Sequence, residues 1–143
     1  MSVIKSYTIS NNWMDITICT LGCTITSINV PGKNSVRRNI VLCYEDPRGY
    51  LDDSFYVGCT VGRVAGRISG SRFTIDGQSF RLSPNDGNTG NHLHGGMIGF
   101  NKKIFEVVSS EVSSLTMYYQ SADGEEGYPG EVKLWVTVSL SDE

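Results

Sequence analysis

Apolar and polar residues alternate along most of this chain with a period of two, as in β-strands that cover a core on one face. Alternating segments lie at residues 15–21, 23–30, 39–42, 73–82, 104–109, 115–121 and 131–140. No long segment has the period of roughly 3.6 residues that marks an amphipathic helix, and sixteen glycines punctuate the strands. The pattern predicts an all-β protein, an antiparallel β-sandwich or barrel.

The segment at residues 73–82 has the clearest local signal. Asp76-Gly77 stands at its centre, and this pair can adopt the positive φ angles of a type I′ turn. Because both flanks alternate, the segment predicts a hairpin with Asp76 and Gly77 at its tip. Pro31-Gly32-Lys33-Asn34 predicts another turn, between the segments at 23–30 and 39–42.

The composition is that of an ordinary globular domain. The 143 residues suit a single unit, 1–143, and 39% of them are hydrophobic. The formal charge of −3 comes without a basic stripe, which argues against a nucleic-acid partner. Residues 1–12 are polar and alternating, unlike a secretory signal, and no segment is apolar enough to span a membrane. We therefore expect a soluble, cytoplasmic protein with no membrane partner.

The four cysteines are Cys19, Cys23, Cys43 and Cys59, and none of them forms a Cys-x-x-Cys pair. Their spacing matches neither a disulfide scaffold nor a zinc site. We expect four reduced and mostly buried thiols, because a free cysteine often packs as a small apolar residue.

Arg63 and Arg67 lie four positions apart among small and apolar residues. In an extended segment the two side chains would share one face, with Ala65 between them. An arginine over a cleft can hold sugar hydroxyls with its planar set of donors. The alternative is that both side chains extend from a sheet edge into solvent.

Residues 85–96 form the richest polar segment, Asn85-Asp86-Gly87-Asn88-Thr89-Gly90-Asn91-His92-Leu93-His94-Gly95-Gly96. The paired glycines allow a ligand to approach the backbone closely, and an imidazole can donate to or accept from a sugar oxygen. A zinc site on His92 and His94 would need a third ligand. The alternative is a surface loop with incidental histidines.

Residues 123–130 carry three carboxylates, in the sequence Asp123-Gly124-Glu125-Glu126-Gly127-Tyr128-Pro129-Gly130. A pair of carboxylates could carry out acid–base chemistry. Acidic residues in glycine-rich turns are more often solvated, and we expect that here.

Taken together and in order, these segments resemble the aldose 1-epimerase (galactose mutarotase) family. The matching segments are residues 21–28, 62–68 and 73–82, Asn85, and residues 93–96, 99–102 and 123–130. The resemblance implies a galactose mutarotase-like antiparallel β-sandwich with a sugar cleft on a concave face. It also implies interconversion of the α and β anomers of galactose or glucose, as part of hexose metabolism, without a metal or organic cofactor.

The resemblance also assigns site residues. By position in the motifs, Arg67 and His94 match the family's substrate-holding arginine and first histidine, and Asn85 joins them as a substrate-binding residue. Two departures stand nearby. Gly66 replaces an asparagine that is frequent in the family, and the stretch from Leu82 to His94 is slightly long around residues 88–90.

In the family, a glutamate takes the anomeric hydroxyl proton and a histidine protonates the ring oxygen, and both lie beyond the last strand of this chain. We therefore assign no catalytic residue and expect residues 1–143 to be an amino-terminal, incomplete portion of the sandwich, inactive or very weak alone. Two alternatives are a non-catalytic carbohydrate-binding module or pseudoenzyme, and an assembly protein with a vestigial site. The apolar strand at 131–140 would leave an exposed edge, which favours a homo-oligomer.

Overall fold

The computed structural model describes residues 3–141, and its regular elements there are β-strands and short 3-10 helices. The strands are β1 Ser6–Ser10, β2 Asp15–Cys19, β3 Thr24–Pro31, β4 Arg37–Asn39, β5 Arg67–Ile68, β6 Arg72–Ile75, β7 Gln78–Arg81, β8 His92–Leu93, β9 Glu106–Ser110, β10 Ser114–Ser121 and β11 Val132–Ser139. The 3-10 helices span Pro47–Leu51, Ser69–Ser71, Phe100–Lys102 and Glu125–Gly127. The strand pairs are antiparallel, so the predicted class is confirmed. The unit predicted over 1–143 has its first two and last two residues outside the described part.

Two sheets enclose the main core. Strands β1 to β4 form one sheet in that order, and β11, β10 and β9 form the other. Ile9, Ile18, Phe105, Leu115 and Met117 lie between them and are each at most 1% exposed. Each fully buried side chain of this size contributes about 1.5–3 kcal/mol through removal of apolar surface from water. This core fixes the sandwich on which the loops at residues 56–66 and 83–99 are held.

The hairpin predicted at residues 73–82 is confirmed. Strands β6 and β7 pair with Ile75 opposite Gln78. Asp76 and Gly77 connect them with φ angles of 50° and 80°, the left-handed values that this turn requires. The turn predicted after β3 is also confirmed, because the amide of Gly32 donates to the carbonyl of Val36 at 2.9 Å.

The strand predicted at residues 39–42 is wrong, because β4 ends at Asn39. The Oδ1 atom of Asn39 accepts from the amides of Ile28 and Val41, and its Nδ2 donates to the carbonyl of Val41. This side chain offers the backbone a local alternative to the sheet ladder. Ile40 and Leu42 are consequently 63% and 78% exposed.

Strand β1 was not predicted, although its alternation is visible in the sequence. It pairs with β2 over its full length, with Ile9 opposite Ile16. The sequence pattern shows residues 1–12 as polar and alternating but assigns no strand to them, because most of these residues are polar. Its burial comes from the facing sheet, which a local pattern does not reveal.

The four cysteines are free thiols. Cys19 and Cys23 are buried and Cys59 is half-buried, as expected, but Cys43 is exposed because it follows the end of β4. Burial raises the pKa of Cys23 and of Cys59 to about 11. Within residues 3–141, no helix has the length and apolar character needed to cross a bilayer.

Candidate functional site

The short ladder of β5 and β8 brings the two segments of the predicted site together. Arg67 lies opposite Leu93, and Ile68 lies opposite His92. One step further along, the amide of His94 donates to the carbonyl of Gly66 at 3.0 Å. Arg67 and His94 are therefore offset by one position across the ladder, although 27 positions separate them in the sequence (67 to 94).

The imidazole of His94 has a defined orientation. The amide of Gly66 donates to Nδ1 at 3.0 Å, so Nδ1 carries no proton and Nε2 carries one. The ring of Tyr56 packs against the imidazole, with centroids 4.6 Å apart and planes at 59°. Within the described residues Nε2 has no hydrogen-bond partner. His94 thus presents a donor that a ligand oxygen can accept from.

The backbone conformation and the close packing after His94 explain why glycine follows it at position 95. His94 has a φ of 51°, and Gly95 has a φ of 88°. A Cβ atom on Gly95 would lie 1.6 Å from the carbonyl oxygen of Gly62, so this position admits only glycine. The two glycine-bearing segments are thereby in direct backbone contact.

Asn85 holds the loop that carries His94. Its Nδ2 donates to the carbonyls of Leu93 at 2.9 Å and Gly96 at 2.8 Å, and its Oδ1 accepts from the amide of Leu93 at 2.6 Å. Both amide protons of Asn85 are used in this way. Direct binding of a sugar by Asn85 stays a prediction, and only the remaining acceptor capacity of Oδ1 is open to it.

The guanidinium of Arg67 pairs with a carboxylate from the same polar loop. Its Nε donates to Oδ2 of Asp86 at 2.7 Å, and Nη2 donates to Oδ1 at 3.2 Å. The Arg67 side chain is 60% exposed and that of Asp86 is 13% exposed. The hydrogen bonds from Arg67 and then Thr89 hold the pKa of the Asp86 carboxyl below its usual value. The pair is ionised at neutral pH.

Arg63 fits neither interpretation drawn from the sequence. Residues 61–66 form no strand, so the argument that Arg63 and Arg67 share a face does not apply. Its guanidinium instead donates to the Oγ and carbonyl of Ser121 and to the carbonyls of Ala122, Pro129 and Gly130. Arg63 is a structural link between the loop at 61–66 and both ends of the loop at 121–130.

His92 has a structural role. It is fully buried, with Nδ1 at 2.8 Å from the carbonyl of Ser83 and Nε2 at 2.8 Å from the hydroxyl of Tyr128. Both ring nitrogens are therefore occupied. In the part of the chain that the structure describes, no group of three or more histidine, cysteine, aspartate or glutamate side chains is placed to hold a metal ion.

The acidic turn is more ordered than the sequence predicts. Oε2 of Glu125 accepts from the hydroxyl of Tyr119 at 2.6 Å and lies 3.3 Å from Nζ of Lys103, and Oε1 accepts from the hydroxyl of Ser121. Burial opposes ionisation, but these hydrogen bonds and the lysine outweigh it and hold the pKa of Glu125 below its usual value.

Glu126, the next residue of this turn, caps the loop after His94. Its two carboxylate oxygens accept from the amides of Met97 at 3.0 Å and Ile98 at 3.1 Å. The expectation that the turn glutamates are simply solvated is therefore wrong. Their carboxylates contribute to the scaffold around the candidate site.

Two residues of the site carried no signal in the sequence pattern. Tyr56 lies in an irregular segment and contacts His94 only through the tertiary fold. Asp86 stands in the polar loop at residues 85–96, but its pairing with Arg67 depends on how the folded chain places that loop. The candidate site on the described residues thus combines the contact of Tyr56 with His94 and the pair of Arg67 with Asp86, and Asn85 bonds to the loop that carries His94.

Comparison with known proteins identifies the family of this chain. The family model for aldose 1-epimerase matches residues 5–143. Galactose mutarotase of Rattus norvegicus is 39% identical over 139 residues, which are 96% of this chain and 39% of that protein. Aldose 1-epimerase of Escherichia coli (strain K12) is 34% identical over 134 residues, covering 94% of this chain and 38% of that protein.

Among solved structures, the GalM/aldose epimerase homologue from C. elegans superimposes with a TM-score of 0.92 at 30% identity, covering 98% of this chain and 43% of that one. The described fold therefore reproduces part of a known one. This chain belongs to the aldose 1-epimerase family, and it spans about two-fifths of the length of the curated relatives that it matches.

Proposed function

We propose that Arg67 and His94 bind a hexose, galactose or glucose, and that these residues form the amino-terminal part of a mutarotase site. In a longer form of the protein, that site would interconvert the α and β anomers as part of hexose metabolism. The observation that carries the proposal is the fixed imidazole of His94, whose Nδ1 accepts from the amide of Gly66 and whose Nε2 proton is left for a ligand, on the segment that pairs with the strand of Arg67. The names of the relatives, galactose mutarotase and aldose 1-epimerase, support it.

The arrangement suits recognition of a neutral sugar. A hexose offers hydroxyl and ring oxygens, and Nε2 of His94 and the outer donors of Arg67 are complementary to such acceptors. The ring of Tyr56 adds an amphipathic surface at the same place. No organic cofactor enters this scheme.

We further propose that the described residues alone bind hexose without turning it over appreciably. Anomer exchange needs one group to remove a proton and another to deliver one, and each contributes about 10²–10⁴-fold. His92 is buried with both nitrogens occupied. Glu125 and Glu126 are engaged with other groups of the scaffold.

The engagement of His92, Glu125 and Glu126 with other groups also favours the alternative of a non-catalytic hexose-binding module or pseudoenzyme. In that alternative the sugar-holding residues act alone. Holding a sugar in this way binds the ground state and the transition state similarly, so it accelerates the reaction little. The two proposals share one binding site. They differ in whether a longer form of the protein supplies the acid and the base.

Hexose titration followed by nuclear magnetic resonance tests the binding. We expect saturable binding of galactose or glucose that weakens at least several-fold in Arg67→Ala and His94→Ala. The matched control is Arg48→Ala, because Arg48 also pairs with an aspartate, Asp46, and is 80% exposed. Equal affinity in all four proteins would reject the assignment.

Polarimetry on freshly dissolved α-D-galactose and α-D-glucose tests the second proposal. We expect rates close to those of buffer. A rate that grows with protein concentration and is lost in His94→Ala would show an acid and a base within this chain or in a second copy of it. The cytoplasmic location and the homo-oligomer stay predictions.

A further inference from the structure

The pairing of Arg67 and Asp86 uses one edge of the guanidinium and leaves the other open. The carboxylate accepts from Nε and Nη2. An arginine has five N–H donors, so about three remain, two on Nη1 and one on Nη2. Because the Arg67 side chain is 60% exposed, these donors lie where a ligand can reach them.

Asp86 is itself held in place. The hydroxyl of Thr89 lies 2.9 Å from Oδ2 of Asp86, and the amide of Thr89 donates to its carbonyl at 3.2 Å. The amide of Asp86 donates to the carbonyl of Asn91 at 3.2 Å, just before β8. A carboxylate that is 13% exposed and fixed at both backbone and side chain can orient a long side chain that is otherwise free to rotate.

We propose that Asp86 is a positioning residue, which holds Arg67 in one orientation so that its Nη1 edge faces a bound hexose. The inference rests on the proposed function. Sugar hydroxyls are neutral, whereas the hydrogen bonds between guanidinium and carboxylate are charge-assisted and stronger. A hexose therefore binds the outer donors and leaves the pair intact. Thr89 contributes by supporting the carboxylate.

The loop at residues 86–91 supplies the carboxylate of Asp86 and the hydroxyl of Thr89. It contains residues 88–90, where the chain is slightly long relative to the family pattern. Thr89 lies in that stretch, and its hydroxyl also accepts from the amide of Asn91 at 3.2 Å. The loop thus folds back on Asp86. The loop at residues 86–91 and Arg67 are therefore joined through the carboxylate of Asp86.

The test is the galactose affinity of Asp86→Asn, measured by titration with the amide and arginine Nε–H resonances followed together. Asparagine keeps the shape but presents an N–H group to one side of the guanidinium. We expect about two- to tenfold weaker binding, the cost of fixing one long side chain on association. The Nε–H resonance of Arg67 should move and exchange faster with solvent. The matched control is Asp46→Asn, at the Arg48 pair.

A double-mutant cycle separates positioning from a general structural effect. In the Arg67→Ala background, Asp86→Asn should change galactose affinity by less than about twofold. An equal loss in both backgrounds, or tighter binding by Asp86→Asn alone, would overturn the inference. Thr89→Val gives a second variant, for which we expect a smaller loss in the same direction.

The result for the unaltered protein distinguishes failure of the proposed function from failure of the positioning role of Asp86. If it binds no hexose, the proposed function fails and the inference falls with it. If it binds hexose and Asp86→Asn binds equally well, only the inference is rejected.

Discussion

The hydroxyl of Tyr128 donates to Nε2 of His92 at 2.8 Å, between side chains that are 5% and 0% exposed. The carbonyl of Ser83 can only accept, so Nδ1 of His92 carries the proton and Nε2 is the acceptor. Burial raises the pKa of Tyr128 to about 12, which keeps its hydroxyl protonated. This contact ties the acidic turn to β8, the strand that leads into His94.

Tyr128→Phe should lower the free energy of unfolding by about 1–3 kcal/mol, because it leaves a buried imidazole nitrogen unsatisfied. Urea unfolding followed by tyrosine fluorescence or circular dichroism measures the change. Tyr118→Phe is the matched control, since the Tyr118 hydroxyl bonds to Gln120 at an exposed position. Equal stability of Tyr128→Phe and the unaltered protein would contradict the assigned role.

Arg63→Ala should destabilise the chain more than Arg48→Ala does. Arg63 links two loops through a hydroxyl and four backbone carbonyls, and hydrogen bonds to a charged group are each worth about 1.5–3 kcal/mol. The Arg48 pair is exposed and screened by solvent, so it should contribute little to stability. Thermal unfolding compares the two variants, and similar melting temperatures would show that Arg63 is no cross-link.

The carboxyl of Glu125 should make stability depend on pH. Its pKa is lowered in the folded state, so its contribution is present above the usual glutamate value of 4.5 and is lost as the pH falls through the lowered value. Glu125→Gln should therefore lose less stability than the unaltered protein on acidification below pH 4.5. Glu111→Gln, at an exposed position, is the control. Parallel pH profiles for Glu125→Gln and the unaltered protein would contradict this.

The last strand should promote self-association. Among the described residues β11 pairs only with β10, while Val132 is 38% and Trp135 is 56% exposed. An open strand edge with apolar side chains favours pairing with another chain. We expect association at raised concentration, reduced in Trp135→Lys but not in Val112→Lys, which changes an exposed turn residue. Sedimentation of the unaltered chain as a monomer at all concentrations would refute this.

The parts of the fold that the sequence predicts are those held by local rules. The hairpin around Asp76-Gly77 needs only a turn pair and alternating flanks, and the structure contains it. Strand β10 likewise follows from alternation, as Leu115 and Met117 face the core. The strand predicted over residues 39–42 is wrong because the side-chain amide of Asn39 bonds to the backbone of Val41 and so competes with the hydrogen bonds of the sheet. Hydrophobic periodicity does not detect this effect.

The candidate site was predicted less completely than the fold. The positions of Arg67 and His94 in the family motifs point to them, and the β5–β8 ladder brings their two segments together, with Arg67 opposite Leu93. Tyr56 and Asp86 reach the site through contacts between distant segments, which no spacing in the sequence encodes. The network around Glu125 was missed for the same reason, since Tyr119 and Lys103 come from other elements.

The most direct test follows the His94 imidazole and the Gly66 amide by ¹H–¹⁵N resonance during a galactose titration. The two groups share a hydrogen bond of 3.0 Å, so a ligand at Nε2 should be sensed by both. We expect saturable shifts at both groups and at the Nε–H of Arg67, with one common affinity, and little change at the buried imidazole of His92. Saturable shifts that leave His94, Gly66 and Arg67 unmoved, or no saturation at all, would contradict a hexose site at these residues.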